Sequence, residues 1–173
     1  MGLRIVPDAS PSALELFKPR THDIVCNIMK VRAVFDTNLI VAGLSSRRGA
    51  SHALLRQAFD GRFVLLASPT LWLEYEAVLK RENIRQLHKL GDKEVDDFLD
   101  AMASVIEPVH LHYLWRPQLS DPKDEMVLET AINGQSDALV TFNIRDFETA
   151  TKRFSPRLMT ASQFLGYLET QHE

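Results

Sequence analysis

From residue 31 onward the chain alternates short apolar runs with amphipathic stretches. Val31-Arg32-Ala33-Val34-Phe35 is brief, apolar and β-branched, the pattern of a buried strand. Ser51–Asp60 carries Ala53, Leu54, Ala58 and Phe59 on one side and predicts a helix ended by Gly61. Phe63–Ala67 predicts a second strand. Ser68-Pro69-Thr70 then opens a helix to about Lys80, with a cap residue before a proline at the first helical position. Asp92–Ser104 places Val95, Phe98, Leu99 and Met102 at helical spacing. Val105–His110 predicts a third strand, followed by an irregular stretch over His112–Ser120. Asp121-Pro122 reads as an N-cap and first helical residue of a helix that runs to Ile132 and stops at Asn133-Gly134. Ala138–Phe142 and Arg157–Met159 predict fourth and fifth strands, and Ala161–Leu168 a closing helix. Strands alternating with helices imply an α/β fold, a three-layer α/β/α sandwich around a mostly parallel sheet of four to five strands.

Residues 1–30 break this pattern. They hold Pro7, Pro11 and Pro19, with one amphipathic patch over Ala13–Phe17, and read as an N-terminal extension. Met29, just before the first strand, is a candidate start. Residues 31–173 form the single expected domain, a length that supports a sizeable core. Net charge is −3, so no overall basic field draws nucleic acid; a polyanion partner needs local basic groups or a bridging metal. The one cysteine, Cys26, rules out an internal disulfide and fits a reducing compartment. No apolar run approaches a membrane span, and the N-terminus lacks a signal-peptide core; the expectation is a cytoplasmic protein.

Candidate chemistry lies in oxygen-bearing residues at element ends. Asp36-Thr37-Asn38 follows the first strand, and ligands of open α/β sheets bind outside the carboxyl ends of strands. The simpler reading is that Asp36 or Thr37 caps the next helix. In Leu71–Leu79, Glu74 and Glu76 lie on opposite edges of the apolar stripe, so periodicity does not choose between them. Asp121, Asp124 and Glu125 are three acids within five residues at a helix start, where the helix dipole alone would favour them. Ala138-Leu139-Val140-Thr141-Phe142-Asn143 repeats the grammar of a strand ending in oxygen donors, with Asp146 three residues on. If these groups share one sheet edge, they make a hard oxygen site suited to Mg²⁺ or Mn²⁺ and to metal-assisted phosphodiester hydrolysis.

In the order and spacing of Val34–Ala42, Ser68–Glu74, Ser120–Glu125, Asp137–Thr141 and Met159–Leu165, the chain resembles PIN-domain ribonucleases, in particular those described as toxins of type II toxin–antitoxin systems. The resemblance runs from about Val31 to Leu165. It implies Mg²⁺- or Mn²⁺-dependent cleavage of RNA, with catalytic residues at Asp36, Glu74, Asp124 and Asn143 and metal ligands at Asp36 and Asp124. It favours Glu74 over Glu76. Asn38, Glu125, Thr141 and Asp146 are secondary candidates. The fourth position is often Asp in the family, and Asn143 contributes no charge. The resemblance also implies a small antitoxin partner and a homodimer, with the helix after Gly91 as a candidate partner surface.

Arg47-Arg48 are the candidate RNA-phosphate contacts, because their loop begins close to Asp36 in sequence. His52 beside them is the histidine of interest. Trp72 and Tyr75 read as core and Trp115 as open. Two other function classes compete. One is a PIN-like module that binds RNA or protein without cutting, which Asn143 favours. The other is a phosphoryl-transfer enzyme with Asp36 as nucleophile, disfavoured because that chemistry pairs the nucleophile with a second Asp two residues on, where this chain has Asn38.

Overall fold

A computed structural model describes Phe17 and residues 30–171. Met29 and the rest of the 13–17 patch lie outside the described residues. In chain order the elements are β1 (Arg32–Phe35), α1 (Thr37–Ser45), α2 (Ala50–Phe59), β2 (Val64–Ala67), α3 (Pro69–Leu79), α4 (Glu82–His88), α5 (Asp92–Ala103), β3 (Ile106–Pro108), α6 (Glu125–Asn133), β4 (Ala138–Val140), α7 (Ile144–Thr151), β5 (Arg157–Met159) and α8 (Ala161–Thr170).

All four strand pairings are parallel and the order is β3-β2-β1-β4-β5. The sheet therefore reverses its winding beside β1: one crossover leads from β1 to β2, while the connection after β3 returns to the other side of β1. By the right-handed crossover rule the reversal moves α6 to the face opposite α1 and α2. In agreement, α6 packs on β1, β2 and β4, while α2 packs against α8. The expected α/β/α sandwich is present, and its sheet is wholly parallel. Strands β2 and β4, and β1 after Arg32, read as continuous apolar runs because both their faces are covered.

The predicted stripes supply the core. Val95, Phe98, Leu99 and Met102 of α5 are all buried, so the apolar face of this helix is spent on its own domain and not offered to a partner. Two close approaches require glycine. A Cβ on Gly43 would lie 2.5 Å from Leu55 Cδ1, where α1 crosses α2, and one on Gly134 would lie 2.8 Å from the Thr130 carbonyl oxygen.

Three features depart from the expected pattern. Helices α4 and α7 lie outside the expected elements. The helix expected from Asp121 begins at Glu125. Asp121 instead closes a local turn, its Oδ1 accepting from the Lys123 N–H at 2.9 Å, and Asp124 stands at the N-cap position without a side-chain capping bond. Phe17, assigned to the extension, is buried against Phe59, Phe98 and the His52 ring, with centroids 5.3–5.4 Å apart.

Candidate active site

The register builds the site. Phe35 pairs with Val140, so the next residues along, Asp36 and Thr141, stand side by side where β1 and β4 end. The bond from Asp36 N–H to the Val140 carbonyl, 2.9 Å, carries the ladder to this point. These are the strands between which the winding reverses, where a crevice opens outside the carboxyl ends.

Asp36 is 5% exposed. Its Oδ2 accepts from Thr141 Oγ1 and from Asn38 Nδ2, both at 2.6 Å. Thr141 Oγ1 in turn accepts from the Asn143 N–H at 2.9 Å, and Asn38 Oδ1 accepts from the Phe142 N–H at 3.4 Å. Asp36 occupies the N-cap position of α1, but its shortest side-chain bonds run to Thr141 and Asn38 and not to a capping amide. It is fixed by neighbours from both strand ends. Tyr75 on α3, fully buried, donates its hydroxyl to the carbonyl of Phe35 and secures the residue just before it. Burial pushes the Asp36 carboxyl above its usual range against the pull of those hydrogen bonds. Burial, then the charge of Asp36, holds the Tyr75 phenol well above its own.

Asp124 faces the same crevice from the start of α6. Burial, then the negative charges of Asp36, Asp121 and Asp146, push its carboxyl up to about 6. Four aspartates from three segments thus share one field. Among the described residues none of the four is ion-paired with a Lys or Arg. Charge repulsion of this kind is relieved by protonation or by a cation. Asp121, read from the sequence as an N-cap and as one of three acids in five residues, adds its charge to this field.

The remaining candidates divide. Asn143 is exposed at the N-cap of α7 and its amide makes no capping bond. Asp146 is exposed in the first turn of α7. Glu74 lies one residue before Tyr75, half-buried, and accepts from Arg81 at 3.2 Å. Among the described residues no three Asp, Glu, His or Cys side chains close into a ready-made metal cage. Glu125 has a different task from its neighbour Asp124. It is buried, and its Oε1 accepts from the Gln118 and Leu119 N–H groups at 2.6 and 2.9 Å. Its place in the sequence resembles that of a ligand, yet it anchors a loop.

That loop is held by one face of α6 at i, i+4 and i+8. After Glu125, Glu129 binds Arg116 through two bonds of 2.9 Å, and Asn133 Oδ1 accepts from the His112 and Tyr113 N–H groups. The spacing was visible in the sequence, but three polar residues on a helix read as a solvated face. Trp115 is exposed, as expected, and Tyr75 is core.

Arg47, Arg48 and His52 stand apart from the acids. Arg47 and Arg48 follow the far end of α1, whose nine residues at 1.5 Å each carry them about 13 Å from the Asp36 end. Nearness in sequence did not become nearness in space. His52 is a core residue, its Nδ1 2.9 Å from the Gly43 carbonyl oxygen and its ring against Phe17.

No helix among the described residues is long and apolar enough to cross a membrane. No curated protein matches the chain. The structure is similar to a chain in the crystal structure of VapBC2 from Rickettsia felis bound to a DNA fragment from their promoter, with a TM-score of 0.51 and 17% identity, covering 75% of this chain and 98% of that one. At that identity the likeness speaks for the fold. The family model described as PIN domain matches residues 32–145, which span β1, the acidic edge and the start of α7. With the strand-end aspartates held as described and that match covering most of the domain, the chain belongs to the PIN domain family.

Proposed function

We propose that this PIN domain is a divalent-metal-dependent endoribonuclease and the toxin of a toxin–antitoxin pair. The observation that carries the reading is the group of aspartates without a cationic partner at the reversal point of the sheet, with Asp124 pushed up to about 6. A hard divalent cation fits that donor set. Asp36 and Asp124 would hold Mg²⁺ or Mn²⁺. When bound, such an ion supplies Lewis acidity toward a phosphate and acidifies a bound water.

The chain's own residues do the rest. Thr141 and Asn38 hold Asp36 by two hydrogen bonds, so its carboxylate stays in one orientation. Glu74 turns from Arg81 to accept a proton from the attacking water. Asn143 offers an uncharged amide as hydrogen-bond partner to the phosphate or to a water. For a protein partner, exposed Phe142 stands between Thr141 and Asn143, and exposed Leu73 beside Glu74. A small antitoxin laying apolar side chains on these two residues would cover the acids. We propose a homodimer as the working form.

A module that binds RNA or protein without cutting is the second reading. Asn143 in place of an acid and the hold of Arg81 on Glu74 favour it. One assay separates the two. The purified full chain is incubated with single-stranded RNA and Mg²⁺ or Mn²⁺, beside the Asp36→Asn variant and an EDTA control. Cleavage that disappears in the variant and in EDTA supports the nuclease. RNA left intact by the wild type with either metal overturns it.

A further inference from the structure

A cavity of about 680 Å³ opens at the end of the sheet opposite the acids. Asp137 and Arg157 line it where β4 and β5 begin, whereas Asp36 and Thr141 lie where strands end. The nine residues of α6, about 13 Å, separate the two places. The cavity belongs to neither the aspartate group nor the residues that hold it.

Its lining is selective. Arg153 and Arg157 both reach it, and among the described residues neither has an acidic partner. Asp137 also lines it, with its Oδ2 accepting from the Arg32 N–H at 2.8 Å. The Arg157 guanidinium lies over the Tyr167 ring, 5.2 Å from its centre, so the cation is braced while its donors remain open. Arg153 Nη1 makes one long bond to Gln118, 3.5 Å. Phe154 adds a second ring, and Trp115 lies against it at 5.7 Å. On the floor, Ser136 is 4% exposed and its hydroxyl finds no hydrogen-bond partner among the described residues. The volume falls within the usual range for small-ligand sites. Guanidinium forks bind phosphate oxygens in pairs, and aromatic faces stack on bases whatever their sequence.

We infer that this cavity is a second ligand site, separate from the acidic edge, that takes a nucleoside monophosphate, either free or as one unit of an RNA strand. Arg153 and Arg157 clamp the phosphate, and Phe154 and Tyr167 receive the base. A line of hydrogen bonds links the cavity wall to the acidic edge. Arg153 touches Gln118, Gln118 N–H binds Glu125, and Glu125 follows Asp124.

The test uses the full chain with Asp36→Asn in EDTA, so binding is read without cleavage and independently of whether the acidic edge is a nuclease. Adenosine 5′-monophosphate is titrated by calorimetry and a short fluorescent RNA by anisotropy. At least one of them binds, and Arg153→Gln with Arg157→Gln weakens that binding about tenfold or more, the effect of losing hydrogen bonds to a charged group. Mononucleotide binding assigns the site to a free ligand; RNA binding alone assigns it to a unit of the strand. Absence of binding by both, or binding unchanged in the double variant, overturns the inference. If the double variant loses its thermal transition, Arg153→Gln alone must still weaken binding, because that side chain's contact is with Gln118 at the surface.

Discussion

Replacing Asp124 with Asn should stabilise the metal-free protein. The carboxyl is pushed from 3.8 to about 6 by burial and by Asp36, Asp121 and Asp146. At about 1.36 kcal/mol per pH unit the full effect would be ~3 kcal/mol. Asp124 is only half-buried, so screening by water reduces it to about 1 kcal/mol. Asn keeps the shape, and no capping bond is lost, because the Asp124 side chain makes none. For a chain of 173 residues this amounts to a rise of about 2–4 °C in Tm. The pH dependence has a definite sign. Above about 6 the carboxylate is charged in both folded and unfolded chains and the folded state carries the repulsion. As pH falls through 6 toward 3.8, the folded protein takes up a proton that the unfolded chain does not yet bind, and the penalty is relieved. The gap between variant and wild type is therefore largest at neutral pH and closes near pH 4. Thermal unfolding in EDTA across this range measures it. A variant less stable than wild type at neutral pH, or a gap that does not change with pH, would show that Asp124 carries no such repulsion in the folded state.

Thr141→Val removes a donor to Asp36 and the acceptor for the Asn143 N–H; a loss of about 2 kcal/mol is expected by urea unfolding, with Mn²⁺ affinity down about tenfold or more. Glu125→Ala frees the Gln118 and Leu119 amides, so hydrogen exchange at those two positions should rise while the amides of β1 stay protected. Gly134→Ala drives a Cβ to within 2.9 Å of Leu66 Cδ1 and Val109 Cγ2 and closer still to the Thr130 carbonyl oxygen, and should cost about 1–3 kcal/mol by the same urea assay.

The strands were legible because a sheet covered on both faces demands largely apolar runs, and Phe63–Ala67, Ala138–Val140 and Val31–Phe35, which only Arg32 interrupts, supply them. The stripe of α5 was legible for the same reason. Helix α7 has an apolar side of Ile144, Phe147 and Ala150, but its eight residues are too few for that spacing to stand out in the sequence. In α4 the buried residue is His88, which sequence reasoning does not count as core. Leu90 N–H donates to its Nδ1, so Nε2 carries the proton and donates to the Leu79 carbonyl at 3.0 Å. The start of α6 was misplaced because Asp121-Pro122 is equally a turn and a cap; the Lys123 N–H settles it locally, and the pull of Glu125 on the 118–119 amides comes from tertiary structure. At the site, strand-end positions carried over directly into the pairing of Asp36 with Thr141. Side-chain partners did not, because Arg81 on Glu74 and the loop on Glu125 are choices made by the packed chain.

The function proposed for this domain depends on Asp36 and Asp124 holding a divalent ion together. Calorimetric titration of Mn²⁺ into wild type, Asp36→Asn and Asp124→Asn tests it most directly. The expected result is saturable binding to the wild type and its loss in both variants while each retains a cooperative thermal transition. Equal Mn²⁺ binding in all three proteins, or none in the wild type, would contradict it.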